Sequence, residues 1–362
     1  MIIIGINENT GKITAPKVGV ILLNWNGHQD TLECMDTLRK ATYPNLTAIV
    51  VDNDSSDNSI EKIKEWSLEH KAKFSEYELH SRKAEIKPVD QQGEFENPSL
   101  KVVLIKSMVN LGFCAGNNIG LEFAHRNGFD YFLVLNNDTL CEPAFLEEMI
   151  NVAESSENVG LVGGVICYAE RPDVIWWAGG EFSEFYETVG GMNRQPLKNL
   201  TANGPFKTDW VSGCMTLIPR HIYEKVGGYD EDFFIWGEEW DLSIRVKKAG
   251  FSLIVAPRSK IYHKVGHALG IVSPLVCYYA IRNHLMVKRK HLRKTQMATY
   301  LIYYFSKRAA RYLKFAREGK YTQYADFEAA GFTGSPKLLK AILCAVLDFF
   351  LYRTGKWRNQ KG

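Results

Sequence analysis

Between residues 17 and 167 the sequence alternates short apolar runs with longer mixed segments, and this alternation constrains the fold more than any other feature. The mixed segments are long enough for helices and carry turn residues at their boundaries. Strands that are joined through helices form right-handed βαβ units. The sequence therefore predicts an α/β fold with a mostly parallel sheet and helices on both faces. The apolar runs with the length of a buried strand are 18–23, 46–51, 101–106, 131–135 and 159–167.

The rest of the chain differs from this regular pattern. Residues 71–100 are polar, charged and nearly aperiodic, which predicts a surface excursion outside the core. After residue 167 the alternation stops, and beyond residue 273 the sequence is helical, basic and aromatic. We predict a first domain over residues 1–272, divided into halves at about 17–167 and 168–272, and a helical C-terminal region over 273–362.

Three of the predicted strands end on polar clusters: Asn24-Trp25-Asn26, Asp52-Asn53-Asp54 and Asn136-Asn137-Asp138. The carboxyl ends of parallel strands share one edge of a sheet, and open α/β sheets bind their ligands there. The Gly- and Asn-rich turn at 110–120 opens a helix and adds backbone N–H groups that suit an anion. The pattern predicts a nucleotide site. Its candidate contacts are Asn24, Asn26, Asp52, Asn53, Asn110, Gly112, Asn117, Asn136 and Asn137.

Asp138 directly follows the strand at 131–135, and two interpretations fit it. An unpaired carboxylate is costly to bury, and a divalent cation bound at Asp138 would remove that cost. Alternatively, Asp138 is the N-cap of the helix that follows. His263 comes after a short predicted strand, and it is a candidate to join Asp138 at a metal and pyrophosphate site. A structural role for this lone histidine is the alternative.

The segment 229–245 concentrates acidic and aromatic residues. Glu238, Glu239 and Asp241 fall within the first turn of a predicted helix, where the helix dipole favours acids, so capping explains at least one of them. Trp236 and Trp240 flank these carboxylates, and a partly desolvated carboxylate suits a general base. The sequence predicts a catalytic base among the three acids, with Glu239 as the first candidate.

The C-terminal region is strongly basic, with twelve Lys or Arg between residues 282 and 320 against the single acid Glu318. Aromatic residues are interleaved with these charges at 300–315, which predicts either an interfacial helix on anionic lipid or a solvated basic helix. No apolar run approaches the roughly 18 residues that span a bilayer. The seven cysteines form no C-x-x-C pair, as expected for reduced thiols in the cytosol. We predict a cytoplasmic protein, with peripheral contact to the inner face of the cell membrane as an open alternative.

Seven motifs, in order along residues 17–285, resemble the family 2 glycosyltransferases, which have the GT-A fold. The resemblance is greatest to the bacterial rhamnosyltransferase-like branch that builds cell-surface polysaccharides. The motifs are Val20-Ile-Leu-Leu-Asn-Trp-Asn-Gly27, Val50-Val-Asp-Asn-Asp-Ser-Ser-Asp57, Asn110-Leu-Gly-Phe-Cys-Ala-Gly-Asn-Asn118, Leu135-Asn-Asn-Asp-Thr139, Gly227-Gly-Tyr-Asp-Glu-Asp-Phe-Phe234, Gly237-Glu-Glu-Trp-Asp-Leu242 and Tyr279-Ala-Ile-Arg-Asn283.

The resemblance implies inverting transfer of a sugar from a nucleotide diphosphate donor to a glycan or lipid-linked acceptor. It implies that residues 17–167 are the nucleotide-sugar half and 168–272 the acceptor and catalytic half. By motif position, Asp52 would contact the base, Asp138 would bind Mg²⁺ or Mn²⁺, Glu239 would be the catalytic base, and His263 would contact the metal. Deoxythymidine diphosphate-rhamnose (dTDP-rhamnose) is the implied donor, with a uridine diphosphate (UDP) sugar left open. Candidate acceptor or sugar contacts are Asp209, Trp210 and Trp236, with Trp176 and Trp177 as either a sugar platform or core.

Two departures from the family pattern leave alternatives open. The metal-binding D-x-D element is Asn136-Asn137-Asp138 here, so an amide replaces one carboxylate, and a non-catalytic nucleotide-sugar-binding relative is a rival interpretation. The base position, often Glu-Asp, is Glu238-Glu239, which leaves room for Glu238 or Asp241 as the base. Dehydrogenase and NTPase glycine motifs are absent after the first strand, and so is a nucleotidyltransferase loop. Nucleic acid is not an expected partner, and the oligomeric state is left open.

Overall fold

The structure, a computed structural model, describes residues 5–6, 13–79, 86–92, 99–189, 191–200, 204–265, 273–318 and 336–358. The side chains of residues 5–6, 13–14, 86–92 and 308–318 are outside this description. The strands are β1 Gly5–Ile6, β2 Ile13–Thr14, β3 Val18–Asn24, β4 Leu46–Asn53, β5 Lys73–Leu79, β6 Ile86–Gln92, β7 Lys101–Ser107, β8 Tyr131–Asn136, β9 Thr139–Cys141, β10 Val159–Tyr168, β11 Arg171–Trp177, β12 Glu181–Phe182, β13 Thr188–Val189, β14 Phe206–Thr208, β15 Met215–Pro219 and β16 Ser252–His263.

Helices alternate with these strands in the first half of the chain and dominate after residue 273. The α-helices are α1 His28–Leu38, α2 Ser59–Glu69, α3 Gly112–Arg126, α4 Phe145–Ala153, α5 Arg220–Val226, α6 Glu238–Lys248, α7 Pro274–His291, α8 Lys294–Glu318 and α9 Pro336–Phe350. Short 3-10 helices lie at Leu197–Asn199 and Glu231–Phe233.

One large mixed sheet forms the framework, in the order β14-β16-β10-β15-β8-β3-β4-β7-β5-β6, with β11 paired to β10 and β9 paired to β16. The neighbours from β5 through β7, β4 and β3 to β8 are all parallel. The antiparallel strand β15 then separates β8 from the parallel pair of β10 and β16. The predicted α/β fold with a mostly parallel sheet is confirmed.

The register places the predicted polar strand ends at one edge of the sheet. Asn24 lies opposite Asp52, and Asn136 lies opposite Leu23 on the other side of β3. Strand β4 is buried along its whole length, and helices pack on the sheet around it because both faces are apolar. The expected convergence of three polar strand ends is therefore confirmed.

Helix α3 lies unusually close to the sheet because of two glycines. A Cβ atom at Gly116 would lie 2.5 Å from the side chain of Leu23, and one at Gly120 would lie 2.5 Å from Ile21. Both distances are too short for any side chain, so larger residues would push the helix off β3. The glycines thus set the position of the helix N-terminus that follows Asn110.

The prediction of a surface excursion over 71–100 is wrong for its first part. Residues 73–79 form β5, which pairs in parallel with β7 and buries Phe74 and Leu79. Glu76 is also buried, at 3% exposure, and its carboxylate is held by Lys64 at 2.7 Å and by Lys106 at 3.6 Å. The sequence of β5 alternates charged and apolar residues, so it was not recognised as a strand of the sheet.

The described residues group into two compact units. Unit 1 comprises Met1–Glu181, Val189–Asp230 and Glu239–Val265, and it contains the large sheet. Unit 2 comprises Phe182–Thr188, Glu231–Glu238 and Gly266–Gly362, so it includes a short segment directly before α6. The domain division at residue 272 remains a prediction. None of the described helices combines the length and apolar character needed to cross a membrane.

Candidate active site

A hydrogen-bond network in unit 1 joins the three polar strand ends. The Asn24 side chain donates to Asp52 Oδ1 at 2.8 Å and to Ser55 Oγ at 3.1 Å. The Thr31 hydroxyl donates to Asn24 Oδ1 at 2.8 Å, and Asn137 Nδ2 donates to the same hydroxyl at 2.9 Å. Residues from β3, β4 and the turn after β8 are therefore fixed relative to one another by buried polar contacts.

Asp52, the candidate base contact, lies at the bottom of this edge with 1% exposure. Its second oxygen accepts the backbone N–H of Ser55 at 3.1 Å. Asn26, with φ of +51°, accepts the backbone N–H of Ser56 at 2.7 Å and so ties the loop after β3 to the loop after β4. Trp25, which lies between Asn24 and Asn26 in the loop after β3, is 37% exposed and so offers an accessible aromatic surface.

Asn53 and Asn110 organise the start of α3. Asn53 Oδ1 accepts the Leu111 N–H at 2.9 Å, and its amide donates to the Gly112 carbonyl at 3.2 Å. Asn110 Oδ1 accepts the Gly112 N–H at 3.0 Å. Two of the backbone N–H groups expected to meet a phosphate therefore already have side-chain partners, so Asn53 and Asn110 shape this turn.

Two consecutive asparagines of α3 have different surroundings. Asn117 is buried and donates to the Phe113 carbonyl at 2.9 Å, while its Oδ1 has no hydrogen-bond partner among the described residues. Asn118 accepts the Tyr229 N–H at 2.9 Å and donates to the Tyr229 carbonyl at 2.8 Å. Asn118, which we did not predict as a site residue, thus fixes the segment that approaches α6.

Asp138 and His263 lie next to each other, as the sequence predicted. His263 Nε2 is 3.1 Å from Asp138 Oδ1; the His263 side chain is buried and that of Asp138 is partly buried. Antiparallel pairing of β9 with β16 places His263 opposite Thr139, the residue after Asp138. The alternative interpretation of Asp138 as a helix N-cap is wrong, because β9 follows it and α4 begins only at Phe145.

The surroundings of His263 favour a positive charge. Burial alone would lower the pKa of His263, but the neighbouring Cys214 and Asp138 outweigh it and raise that pKa well above its usual value. Burial raises the pKa of the Cys214 thiol, and the neighbouring His263 opposes that rise. The Trp176 ring packs edge-on against the imidazole, with centroids 4.7 Å apart.

A divalent cation fits the Asp138–His263 pair. Metal ligation takes a carboxylate and a neutral imidazole, so binding of a cation would release the proton of a charged His263. No group of three or more His, Cys, Asp or Glu suited to a metal occurs in the described part of the chain. Mg²⁺ is commonly held by one or two carboxylates together with substrate phosphates, and Asp138 supplies one such carboxylate.

Asp241 has a structural environment that separates it from the other two acids. Its carboxylate is fully buried and accepts the Arg245 Nε at 2.7 Å. Arg245 also donates to the carbonyls of Val226 at 2.6 Å and Gly228 at 2.7 Å. Because a buried carboxylate in such an ion pair is costly to protonate, we infer that Asp241 holds α6 in place and is not the base.

Glu238 and Glu239 are the first two residues of α6, and they differ in exposure. Glu238 is 4% exposed, whereas Glu239 is only half-buried. Two contacts join α6 to the segment 209–211. Ser243 Oγ of α6 accepts the Val211 N–H at 3.2 Å, and Lys247 of α6 forms an ion pair with Asp209. Asp209 and Trp210 therefore lie next to α6. Of the three acids, Glu239 combines access to solvent with a rigid helix.

The tryptophans fall into distinct settings. Trp177 is 1% exposed and packs under Trp210, with centroids 5.4 Å apart, so its interpretation as core is correct. Trp210 also meets Trp240 edge-on at 6.3 Å. Trp236 is half-buried, with φ of +66°, in the loop before α6. The sequence could not rank these residues, because all of them lie in polar-aromatic surroundings.

Residues 81–273, just over half of the chain, match the family described as Glycosyltransferase like family 2. The chain belongs to this glycosyltransferase family. The predicted family and enzyme class are thus confirmed.

Curated relatives of this family 2 glycosyltransferase include two rhamnosyltransferases. The dTDP-rhamnosyl transferase RfbF of Shigella flexneri is 23% identical over 211 residues, which is 53% of this chain and 64% of the relative. The N-acetylglucosaminyl-diphospho-decaprenol L-rhamnosyltransferase of Mycobacterium tuberculosis is 36% identical over 155 residues, 39% of this chain and 49% of the relative. The aligned part thus spans less than two thirds of each relative.

A solved glycosyltransferase structure shares the fold of this chain. The mannosyltransferase PcManGT from Pyrobaculum calidifontis, in complex with GDP-Man and Mn²⁺, superposes with a TM-score of 0.53 and 15% identity. The match covers 93% of this chain and 88% of the mannosyltransferase. The predicted GT-A fold is confirmed by this likeness.

Lys264, which sequence reasoning did not single out, lies next to Asp138. Its backbone N–H donates to the Asp138 carbonyl at 3.0 Å. Its ammonium group lies 2.7 Å from Asp30 and 2.6 Å from Glu33 on α1. Burial would lower the pKa of Lys264, but hydrogen bonds to these two carboxylates raise it. Asp30 and Glu33 are spaced i, i+3 on one helix face, which is a recognisable but weak signal in the sequence.

Proposed function

We propose that this chain catalyses inverting, metal-dependent transfer of rhamnose from dTDP-rhamnose to a hydroxyl group of a growing cell-surface glycan or lipid-linked acceptor. The observation that carries the proposal is the Asp138–His263 pair, which lies at the same edge of the sheet as Asp52. The rhamnosyltransferase names of two relatives support the donor.

Each part of the site has a distinct task in the proposed reaction. Asp52 and the loops after β3 and β4 receive the nucleotide base, with Trp25 as an adjacent aromatic surface. Glu239 takes the proton from the acceptor hydroxyl, and the resulting oxygen nucleophile attacks the anomeric carbon opposite the diphosphate. The bond between that carbon and the diphosphate oxygen breaks, and the configuration inverts. Asp138 and His263 would hold Mg²⁺ or Mn²⁺, which supplies positive charge for the leaving diphosphate.

Two alternatives have some support in the sequence. A UDP sugar as the donor would need the same fold and the same carboxylates. A non-catalytic nucleotide-sugar-binding subunit is favoured by Asn136, which puts an amide where the family's metal-binding element has a carboxylate. The half-buried Glu239 beside buried Asp241 favours the enzyme, because a scaffold has no need of an acid at that position.

Calorimetric titration with nucleotide diphosphates and their sugars, with and without Mn²⁺, tests the donor. We expect dTDP-rhamnose to bind in the presence of Mn²⁺ and to bind more weakly when the metal is chelated. Tighter metal-dependent binding of a UDP sugar would select the alternative donor. Absence of binding by every nucleotide would contradict the transferase proposal and favour the scaffold.

We also propose that the protein docks on anionic membrane at its C-terminal region, and the exposed face of α9 supports this. Large apolar side chains on one face of α9 and in the residues just after it are 50–73% exposed. They are Leu343, Leu347, Phe350, Leu351 and Tyr352. The opposite face of the helix is buried against α7. A helix that is apolar on both faces needs a second apolar environment.

The charges around this α9 face favour an anionic lipid surface. Exposed lysines precede the apolar stripe and exposed basic residues follow it: Lys337, Lys340, Arg353, Lys356 and Arg358. The acid within 336–358 is Asp348, which is buried and bonded to Tyr278 and Arg353. The sequence predicted a lipid contact at 300–315. Its exposed side chains among the described residues are Ile302, Tyr303, Phe305 and Lys307. The side chains of 308–315 lie outside the described residues.

Co-sedimentation with vesicles tests this docking surface. We expect the protein to bind vesicles containing phosphatidylglycerol, and the double substitution Leu347→Ser with Phe350→Ser to weaken binding by about tenfold or more. Leu68→Ser, which removes an equally exposed leucine from α2, is the matched control and should have no effect. Unchanged binding by the double variant, or a change in its oligomeric state alone, would overturn the proposal.

A further inference from the structure

The loop at residues 231–237, directly before α6, has a backbone conformation that its own sequence does not favour. Phe234 and Trp236 have φ values of +67° and +66°, and Gly237 has +90°. Left-handed backbone is rare for bulky side chains and is maintained only where surrounding structure enforces it. The source of that enforcement lies within unit 2.

Two adjacent residues of α7 provide it. Asn283 Nδ2 lies within hydrogen-bond distance of three loop carbonyls, those of Phe233 at 2.8 Å, Ile235 at 2.7 Å and Trp236 at 2.8 Å. Arg282 Nη2 donates to the Phe233 carbonyl at 2.9 Å, and Arg282 Nε donates to Asn283 Oδ1 at 2.8 Å. The guanidinium therefore orients the amide that holds the loop.

Burial makes these contacts strong. Arg282 is 0% exposed and Asn283 is 1% exposed, so neither has water as a competing partner. The Phe234 ring stacks on Tyr279, one helical turn before Asn283, with centroids 5.3 Å apart and planes at 15°. Tyr279, Arg282 and Asn283, the first and the last two residues of this motif, thus all contact the 231–237 loop.

Residues just after α9 also hold the 231–237 loop. The Gly355 N–H donates to the Asp232 carbonyl at 2.7 Å, and the Thr354 hydroxyl donates to Asp232 Oδ1 at 2.8 Å. Arg282 Nη1 in turn donates to the Gly355 carbonyl at 2.7 Å. The C-terminal region is therefore part of what shapes this loop.

We propose that Arg282 and Asn283 are positioning residues that hold the 231–237 loop and thereby set the orientation of Glu238 and Glu239. Gly237 connects directly to these two acids, so a rotation of the loop backbone would turn the start of α6. Neither positioning residue needs to touch the substrate. The catalytic part of this inference rests on the proposed function of Glu239.

Two variants of Asn283 test the proposal in the full chain. Asn283→Ala removes the amide, and Asn283→Asp keeps its shape but removes the N–H donors. We expect both to speed hydrogen exchange of the backbone amides at 231–238, measured by mass spectrometry. With dTDP-rhamnose as donor, we expect turnover to fall by about tenfold while the donor KM stays unchanged, since a displacement of about 1 Å costs roughly a hundredfold and we expect a smaller displacement here.

Ala280→Ser is the control, because Ala280 is exposed on the same helix α7. It should leave both exchange at 231–238 and turnover unchanged. Exchange that is unaltered in both Asn283 variants would overturn the contact part of the proposal, whatever the enzyme does, because that measurement needs no substrate. Faster exchange with wild-type turnover would overturn the positioning role. A change in donor KM alone would also overturn it, since it would indicate a donor-binding role.

Discussion

Glu239→Gln is expected to lower turnover by about two orders of magnitude or more, because loss of a general base typically costs that much. Glutamine keeps the size of the side chain and its place on α6, but it cannot take the acceptor proton. Donor binding should be nearly unchanged, since the residues proposed to contact the nucleotide lie at the strand edge around Asp52. Release of dTDP from dTDP-rhamnose in the presence of acceptor measures turnover, and calorimetry measures donor affinity.

Variants of the neighbouring acids distinguish the base from its supports. Glu238→Gln should reduce turnover less than Glu239→Gln, because Glu238 is almost fully buried. Asp241→Asn should lower the melting temperature, since it removes the charge of the buried Asp241 from its ion pair with Arg245. If Glu239→Gln turns over like the wild type while Glu238→Gln is inactive, the base has been assigned to the wrong residue.

Asp138→Asn is expected to weaken Mn²⁺-dependent binding of dTDP-rhamnose by about a hundredfold or more, since losing even a group that supports a metal ligand costs roughly ten- to a hundredfold. An amide oxygen carries no charge, so the cation would lose its one carboxylate in the Asp138–His263 pair. Affinity measured without metal should change little. Calorimetry in Mn²⁺ and in chelator gives both values for the variant and the wild type.

Asp173→Asn is a control for the loss of one negative charge, because Asp173 is exposed on β11. It should bind the donor as the wild type does, with and without Mn²⁺. Equal affinity of Asp138→Asn and the wild type in both conditions would remove Asp138 from the metal site.

Much of the sheet was predictable from the sequence because its central strands are buried on both faces. Such strands appear as unbroken apolar runs, and the run at 131–135 is part of β8 at Tyr131–Asn136. The polar residues that end these runs interrupt the pattern abruptly, so the edge with Asn24, Asp52 and Asn136 could be located as well. Parallel pairing follows from the intervening helices.

Strand β5 shows where this reasoning stopped. Glu76 would not be assigned to a core by its residue type, and its burial depends on Lys64 and Lys106 from other elements. The N-cap interpretation of Asp138 was wrong for a related reason. The short strand β9 forms by pairing with β16, which lies more than 100 residues later in the chain. The same pairing brings His263 next to Asp138.

The sequence by itself determined the α/β class, the polar edge of the sheet and the set of acids around Glu239, because each depends on local patterns. Tertiary structure alone decided which acid is tied up in an ion pair, as with Asp241 and Arg245. It also decided that Arg282 and Asn283 reach back to a strained loop some 50 residues earlier. These are contacts between distant parts of the chain, and the free energy of a buried polar group depends on the partners that folding brings to it.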